Sequence, residues 1–263
     1  MRILVRILLI TGFILVLVRV FVLEPYAIPT GSMRPVILEG DVILVSKLPY
    51  RIRSLRYLPF TQTPLPYLEL PGLGHLERGD VVVFDYPFPS EINPGEGTQY
   101  VKRAMATAGD TVQLVEGRIR VNGVEVPSRW GIEEDGRNRR APVIPEQASR
   151  LFRDGDPVIT PFKGYEIQID SVIAERWRFV MEGEGYSVGF RNHIVFIGGL
   201  PATRYTFKRD YFLALGDNSL ISKDSRYFGF VPYDNLIGQA WMIYWSRDPD
   251  DGVRWGRICN LIR

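Results

Sequence analysis

The chain has a single cysteine, Cys259, and only two histidines, His75 and His193. One thiol cannot close an intrachain disulfide, so the fold stands without that cross-link. The histidines and the cysteine form no cluster at metal-ligand spacing, so neither a structural zinc nor any other metal is expected, and no motif calls for a cofactor. A surplus of one charge is missing too. The 32 Lys plus Arg against 30 Asp plus Glu leave a formal net charge of +2, with no basic stripe of the kind phosphate neutralisation demands, which argues against nucleic acid as a partner. Internal repeats and low-complexity tracts are absent as well. What the chain does have is 263 residues, 46% of them hydrophobic, enough to bury one large core or two modest ones.

Long apolar runs occur once. From Ile3 to Leu23 is 21 residues, which as a helix spans about 31 Å and matches a hydrocarbon core of about 30 Å. The uninterrupted apolar part, "ILLITGFILVLV" from Ile7 to Val18, is shorter, so a membrane anchor over residues 1–23 requires Arg6 and Arg19 to snorkel to the two interfaces. A cleaved signal peptide or an interfacial helix would share the basic start and apolar middle, but no small-x-small cleavage pattern follows directly. Arg2 and Arg6 favour a cytoplasmic N-terminus, while Lys47, Arg51, Arg53 and Arg56 lie on the other flank.

Beyond Leu23, short alternating segments bounded by Gly, Pro, Asn and Asp predict a mainly β domain. They include "DVILVSKL" from Asp41, "GDVVVFDYP" from Gly79, "QYVKRAMA" from Gln99, "GRIRVNGVEV" from Gly117 and "QAWMIYWS" from Gln239. Asn122-Gly123 between β-branched residues is a hairpin signal. Residues 133–160 read as polar surface loop with one short helix near Pro145 to Phe152, after which the chain returns to β. Residues 57–76, "YLPFTQTPLPYLELPGLGHL", suit neither a central strand nor a stable helix and form either a loop packed on the core or an apolar lip resting among lipid headgroups.

Five residues past the apolar stretch stands "IPTGSMRP", a serine on a Gly turn between two prolines. Alone it means little. It heads a series, however: "IPTGSMRPVILEGDVILVSK", then "RGDVVVF", "YVKRAMATAGDTV" and "VNG", then "YFLALGDNSLISKDSRYFGFVP". With these blocks, in this order from Ile28 to Pro232 and after an N-terminal apolar segment, the chain resembles bacterial type I signal peptidase, the membrane-bound Ser-Lys protease that cuts signal peptides from exported proteins.

A serine hydroxyl is a weak nucleophile until a positioned base takes its proton. Neither histidine has a motif around it, and the candidate base is Lys102 in "YVKRA"; Ser-Lys pairs are a variant of the catalytic triad. An exposed lysine is only about 0.04% neutral at pH 7, so burial has to lower its pKa. A shift of about two units corresponds to roughly 2.7 kcal/mol of disfavoured charge, within what an apolar pocket supplies. Strand alternation puts Tyr100 on the same face as Lys102.

The resemblance implies that Ser32 attacks the peptide carbonyl, that neutral Lys102 takes its proton, and that water later releases an acyl-enzyme. It implies an oxyanion hole from the backbone N–H of Ser32 and the hydroxyl of Thr30, and support for the pair from Ser222, Asp224 and Arg226, with Tyr100 and Arg103 beside them. Ile28, Pro29 and Met33 become candidate walls of pockets for small side chains one and three positions before the cut. The fold it implies is a β-rich catalytic core, residues 24–121 and 211–263, with an inserted β subdomain at 122–210, preceded by one transmembrane helix. The expected substrates are secreted or membrane preproteins. The expected location is the bacterial cytoplasmic membrane, single-pass, N-terminus inside and catalytic domain on the outer face. Where the family usually has Arg-Asp after "GDN" this chain has Ser219-Leu220, and Ala108 replaces a common Pro. Two other classes compete. A catalytically inactive membrane-anchored binding or assembly protein would share the fold, and a self-cleaving repressor would share the chemistry but needs a DNA-binding helical module, which does not precede Ser32.

Overall fold

The computed structural model describes residues 2–53, 69–87, 99–115, 118–126, 155–219 and 221–263. Residues 57–68 of the apolar segment and the helix expected near Pro145 to Phe152 lie outside them. The rest of the segment is described, and there Leu70 and Leu73 are exposed.

Helix α1 (Arg2–Phe21) runs straight into strand β1 (Leu23–Ala27). Its described apolar side chains, Ile3 to Ile10 and Phe13 among them, are mostly exposed. Among the described residues no helix is long and apolar enough to cross a membrane.

Strands follow in chain order: β2 (Asp41–Ser46), β3 (Arg51–Arg53), β4 (Glu69–Pro71), β5 (Val81–Asp85), β6 (Gln99–Ala106), β7 (Thr111–Val115), β8 (Arg118–Val121), β9 (Val124–Glu125), β10 (Val158–Ile159) and β11 (Glu166–Gln168). After helix α2 (Ser171–Gly183) come β12 (Val188–Arg191), β13 (Ile194–Ile197), β14 (Leu200–Pro201), β15 (Arg204–Thr206) and β16 (Tyr211–Leu215). The short helix α3 (Ser225–Phe228), β17 (Val231–Pro232), β18 (Leu236–Asp248) and β19 (Gly252–Val253) complete the series. The main sheet is antiparallel with the order β1-β2-β18-β5-β6-β16-β17, β19 pairing with β18. The five segments read as strands from alternation all contain or coincide with strands here, and Asn122 and Gly123 take the positive φ values, 53° and 77°, that a tight hairpin turn needs. The protein is mainly β.

The same alternation sorts the core. Val81, Val83, Ile43 and Val45 point to one face of the sheet with Ile28, Met33 and Ile37, whereas Val82, Phe84, Ala104, Phe212 and Ala214 point to the other. A third cluster joins Met105, Val112 and Leu213 to α2 through Trp177, Val180 and Met181. Strands β7, β8 and β9 form a separate four-stranded sheet with β10.

Helix α2 went unread in the sequence, where the chain was expected to return to β. Its signals are an Asp170 side chain that accepts from Ile173 N at its start, and Ala174, Trp177, Val180 and Met181 buried at helical spacing. Interleaved polar residues at Glu175, Arg176 and Arg178 disguise that period over a short window.

Candidate active site

Two elements bring the reactive groups together. Ile28 still belongs to the β1–β2 ladder, its N–H donating to Asp41 O and its carbonyl accepting from Gly40 N, each at 2.9 Å. The chain then turns through a single 3₁₀ turn, Gly31–Met33, closed by Arg34 N donating to Gly31 O. The Gly31 position is tight: a Cβ there would stand 2.4 Å from the Glu39 carboxylate, which pairs with Arg34 at 2.6 Å. Ser32 and Met33 are buried on this turn, at 8% and 1% exposure.

Strand β6 supplies the other group. Lys102 pairs with Val82, and Tyr100 with Phe84, which puts Lys102 and Tyr100 on one face. Lys102 keeps 3% of its surface, with its Nζ 2.6 Å from Ser32 Oγ, 2.9 Å from Val101 O and 5.6 Å from the centre of the Tyr100 ring. Burial pulls the amine down from its ordinary value of 10.5 to about 8, against the upward pull of the Asp224 and Asp217 carboxylates. An amine so placed donates to the hydroxyl when charged and accepts its proton when neutral.

The loop between β16 and α3 closes the site. Asn218 N donates to the carbonyl of Ser32 at 3.0 Å. Gly216 packs so closely that a Cβ there would stand 2.1 Å from Ser222 Oγ and 2.6 Å from Ser32 O. Asp224 is fully buried; its carboxylate accepts from Gly216 N at 3.0 Å and from Arg226 Nε and Nη2 at 2.9 and 2.8 Å. Arg226 also donates to Ser219 O at 2.8 Å, so the pair is a buried brace for the loop and not a solvated surface contact. Ser222 lies within this brace, but its Oγ is buried without a hydrogen-bond partner, both described donations from Lys102 going to Ser32 and Val101.

Arg103 points to the opposite face from Lys102. Its guanidinium grips Asp217 through two hydrogen bonds of 2.8 and 2.6 Å and donates to Gly79 O at 2.7 Å, with both charged side chains at 0% exposure. Sequence reading did not single out Asp217, Gly216 or Asn218. The available signal was Arg103 itself: a charged residue in the middle of a buried strand requires a carboxylate, and the "LGDN" segment offers one.

Of the remaining expected residues, Ile28 and Met33 are buried with Val83, and Val101 packs on the same cluster, while Pro29 and Thr30 are exposed. Thr30 has an extended backbone and its hydroxyl caps nothing. Behind the turn, Asp41 is fully buried and ties distant segments together: it accepts from Leu38 N at 2.9 Å, Ser246 Oγ at 2.5 Å and Arg257 Nη2 at 2.7 Å. Arg257 and Arg254 further donate to the carbonyls of Val36 and Glu39, each at 2.9 Å. Among the described residues no group of three or more His, Cys, Asp or Glu could hold a metal ion.

Comparison with known proteins gives consistent matches. The family model "Signal peptidase, peptidase S26" matches residues 1–245. The chain is 31% identical over 252 residues to signal peptidase I of Pseudomonas aeruginosa, covering 90% of this chain and 70% of that protein. It is 28% identical over 269 residues to signal peptidase I of Buchnera aphidicola subsp. Schizaphis graminum, covering 95% and 78%. A crystal structure of a signal peptidase I from Enterococcus faecalis aligns with 64% of this chain and 98% of its own, at 18% identity and a TM-score of 0.33.

Proposed function

This chain belongs to the signal peptidase family, peptidase S26, and from that premise we infer the reaction it performs and how its residues share the work. It is a serine endopeptidase that removes signal peptides from preproteins. Ser32 is the nucleophile and Lys102 the general base. The observation that carries this assignment is the 2.6 Å contact between a buried amine and the hydroxyl.

With a pKa of about 8, roughly 9% of the amine is neutral at pH 7, a gain of more than two orders of magnitude over an exposed lysine. Neutral Nζ takes the proton from Oγ as Oγ attacks the scissile carbonyl carbon. The resulting oxyanion is met by the backbone N–H of Ser32 and the hydroxyl of Thr30, donors worth about 2.7 to 4 kcal/mol each where one is removed from such a hole. Lys102 returns its proton to the leaving amine, then deprotonates the water that hydrolyses the ester on Ser32. Asn218 N–H and the Asp224–Arg226 brace keep Ser32 and the loop in register. Ile28, Pro29 and Met33 wall the pockets for small side chains, and β1, at the edge of the main sheet, offers its free side to an extended substrate.

Helix α1 seats the enzyme in the bacterial cytoplasmic membrane with its N-terminus inside and the catalytic domain on the outer face. Its support is the array of exposed apolar side chains on α1, which water disfavours, together with Arg6 and Arg19 at a spacing from which both reach an interface. Residues 24–121 and 211–263 form the catalytic core and 122–210 the insertion; β2, β5, β6 and β16 to β18 of the main sheet fall within the first two ranges, as does β1 except for Leu23. An inactive binding protein of the same fold has no support from a site that retains the nucleophile and its base in contact. Cleavage of a precursor in detergent by the parent and by Ser32→Ala decides the assignment: equal rates refute it.

A further inference from the structure

Gly31 leaves a notch beside the nucleophile, and a pair of charges fills it. A Cβ at Gly31 would stand 2.4 Å from Glu39 Oε1 and 2.9 Å from Arg34 Nε, while Arg34 Nε donates to Glu39 Oε2 at 2.6 Å. Only two backbone bonds separate Gly31 Cα from Ser32 N, so the Glu39 carboxylate lies within about 6 Å of that N–H. The backbone beneath Glu39 cannot carry it away. Arg254 Nη1 donates to Glu39 O and Gly40 N to Ile28 O, each at 2.9 Å, and Gly40 holds a φ of 81° with Arg247 O 2.0 Å from where its Cβ would stand. Burial pushes the Glu39 carboxyl up, but the hydrogen bond and charge of Arg34, with Arg254 behind them, hold it below its ordinary value of 4.5. It is therefore ionised at neutral pH.

A lone negative charge is badly placed there. An oxyanion received by Ser32 N–H forms about 3 Å beyond that nitrogen. It is thus within about 9 Å of Glu39, inside the Debye length of about 10 Å at 0.1 M salt. Without Arg34, Glu39 opposes the charge that develops on the scissile carbonyl oxygen; beside Arg34 it opposes little. With side chains 51% and 33% exposed, the pair contributes little to stability, but its field reaches the place where the reaction is most sensitive to charge.

We propose that Arg34 is an electrostatic partner of the oxyanion hole: acting through Glu39, it cancels a carboxylate charge that otherwise slows attack by Ser32. This rests on the reading that the Ser32 N–H and the Thr30 hydroxyl receive the oxyanion. The base stands apart from the pair, since the charges acting on the Lys102 amine are those of Asp224, Asp217 and Arg226. Sign separates this role from that of a structural clip. A clip fails whichever half is removed, whereas the two halves of a compensated charge act in opposite directions.

The test uses the full chain in detergent and a soluble peptide with small residues one and three positions before the cut and no charged residue within four positions of it. Arg34→Met is expected to lower kcat three- to tenfold. Glu39→Gln, which leaves a cation near the oxyanion, is expected to raise it about twofold, and the double variant to lie within twofold of the parent. KM changes by less than twofold throughout. Arg34→Lys keeps the charge without the planar fork and is expected to stay within twofold of the parent. The acid limb stays at about 8 in every variant. Equal losses in the two single variants, or an acid limb moved by more than half a pH unit, overturn the proposal. Should Arg34→Met fail to fold, Glu39→Gln decides alone, and a kcat at or below the parent's overturns it. Thr30→Val checks the hole itself. If that variant loses at least tenfold in kcat while the Arg34 and Glu39 variants match the parent, only the charge compensation falls. If Thr30→Val matches the parent, the oxyanion hole is misplaced and both readings fall.

Discussion

Lys102 donates to Ser32 Oγ across 2.6 Å while keeping only 3% of its own surface. An ammonium is expensive in such a place, and the expense is what makes it a base.

Removal of either partner ends turnover. Ser32→Ala and Lys102→Met are each expected to lower kcat by on the order of 10⁴-fold or more, and together by no more than either alone, because the two act as a unit. Lys102→Arg does not restore activity, since a guanidinium is not deprotonated in proteins. Single-turnover assays on a precursor in detergent read all four variants.

The pH dependence has a definite sign. Activity is expected to rise with pH along a single acid limb centred at about 8, where the amine loses its proton. Stability follows the same group. Its folded pKa of about 8 lies below the ordinary 10.5, so between those values the unfolded chain binds more protons and stability rises with pH. The penalty is fully present below about 8 and is gone above 10.5; at pH 7 it amounts to roughly 3 kcal/mol. Lys102→Met is therefore expected to be inactive yet more stable than the parent at pH 7, with the difference vanishing toward pH 10.5 in chemical denaturation.

The Arg103–Asp217 pair is a different case, because both charges are buried and mutually satisfied. Asp217→Asn or Arg103→Met strands one charge and is expected to cost roughly 3 to 5 kcal/mol, whereas the double replacement costs less than the sum. A double-mutant cycle in urea measures the coupling.

At Gly216 the space is already taken. Gly216→Ala places a methyl against Ser222 Oγ and Ser32 O, and the displacement of the nucleophile is expected to reduce kcat by about 100-fold. Ser222→Ala deletes a hydroxyl that has no hydrogen-bond partner, so its stability is expected to be unchanged or slightly raised while kcat falls. Paired thermal melts and rate assays separate the two effects.

How much of this was legible in the residues differs from element to element. β2, β5 and β6 carry their faces in plain alternation, and each was readable alone. Helix α2 was not, because its buried stripe of Ala174, Trp177, Val180 and Met181 becomes visible only when about two turns are read at a period of 3.6. Ser32 and Lys102 were found through the motifs around them, yet the spacing of 70 residues between them says nothing of contact until β6 is laid beside the turn. Asp217 was passed over because its partner, Arg103, lies 114 positions away and signals a need for a carboxylate only once its strand is known to be buried. The unbonded state of Ser222 is likewise a matter of ångströms and not of residue type.

The loop behind the nucleophile is held by Asp41, Val36 and Glu39, and their partners Arg254 and Arg257 lie 215 to 221 positions downstream. During synthesis, Ser32 has therefore left the ribosome long before the arginines that steady its surroundings exist. A nascent enzyme is thus expected to remain an idle protease until nearly all of its length has emerged, which spares neighbouring chains at the same membrane from a half-assembled cutter.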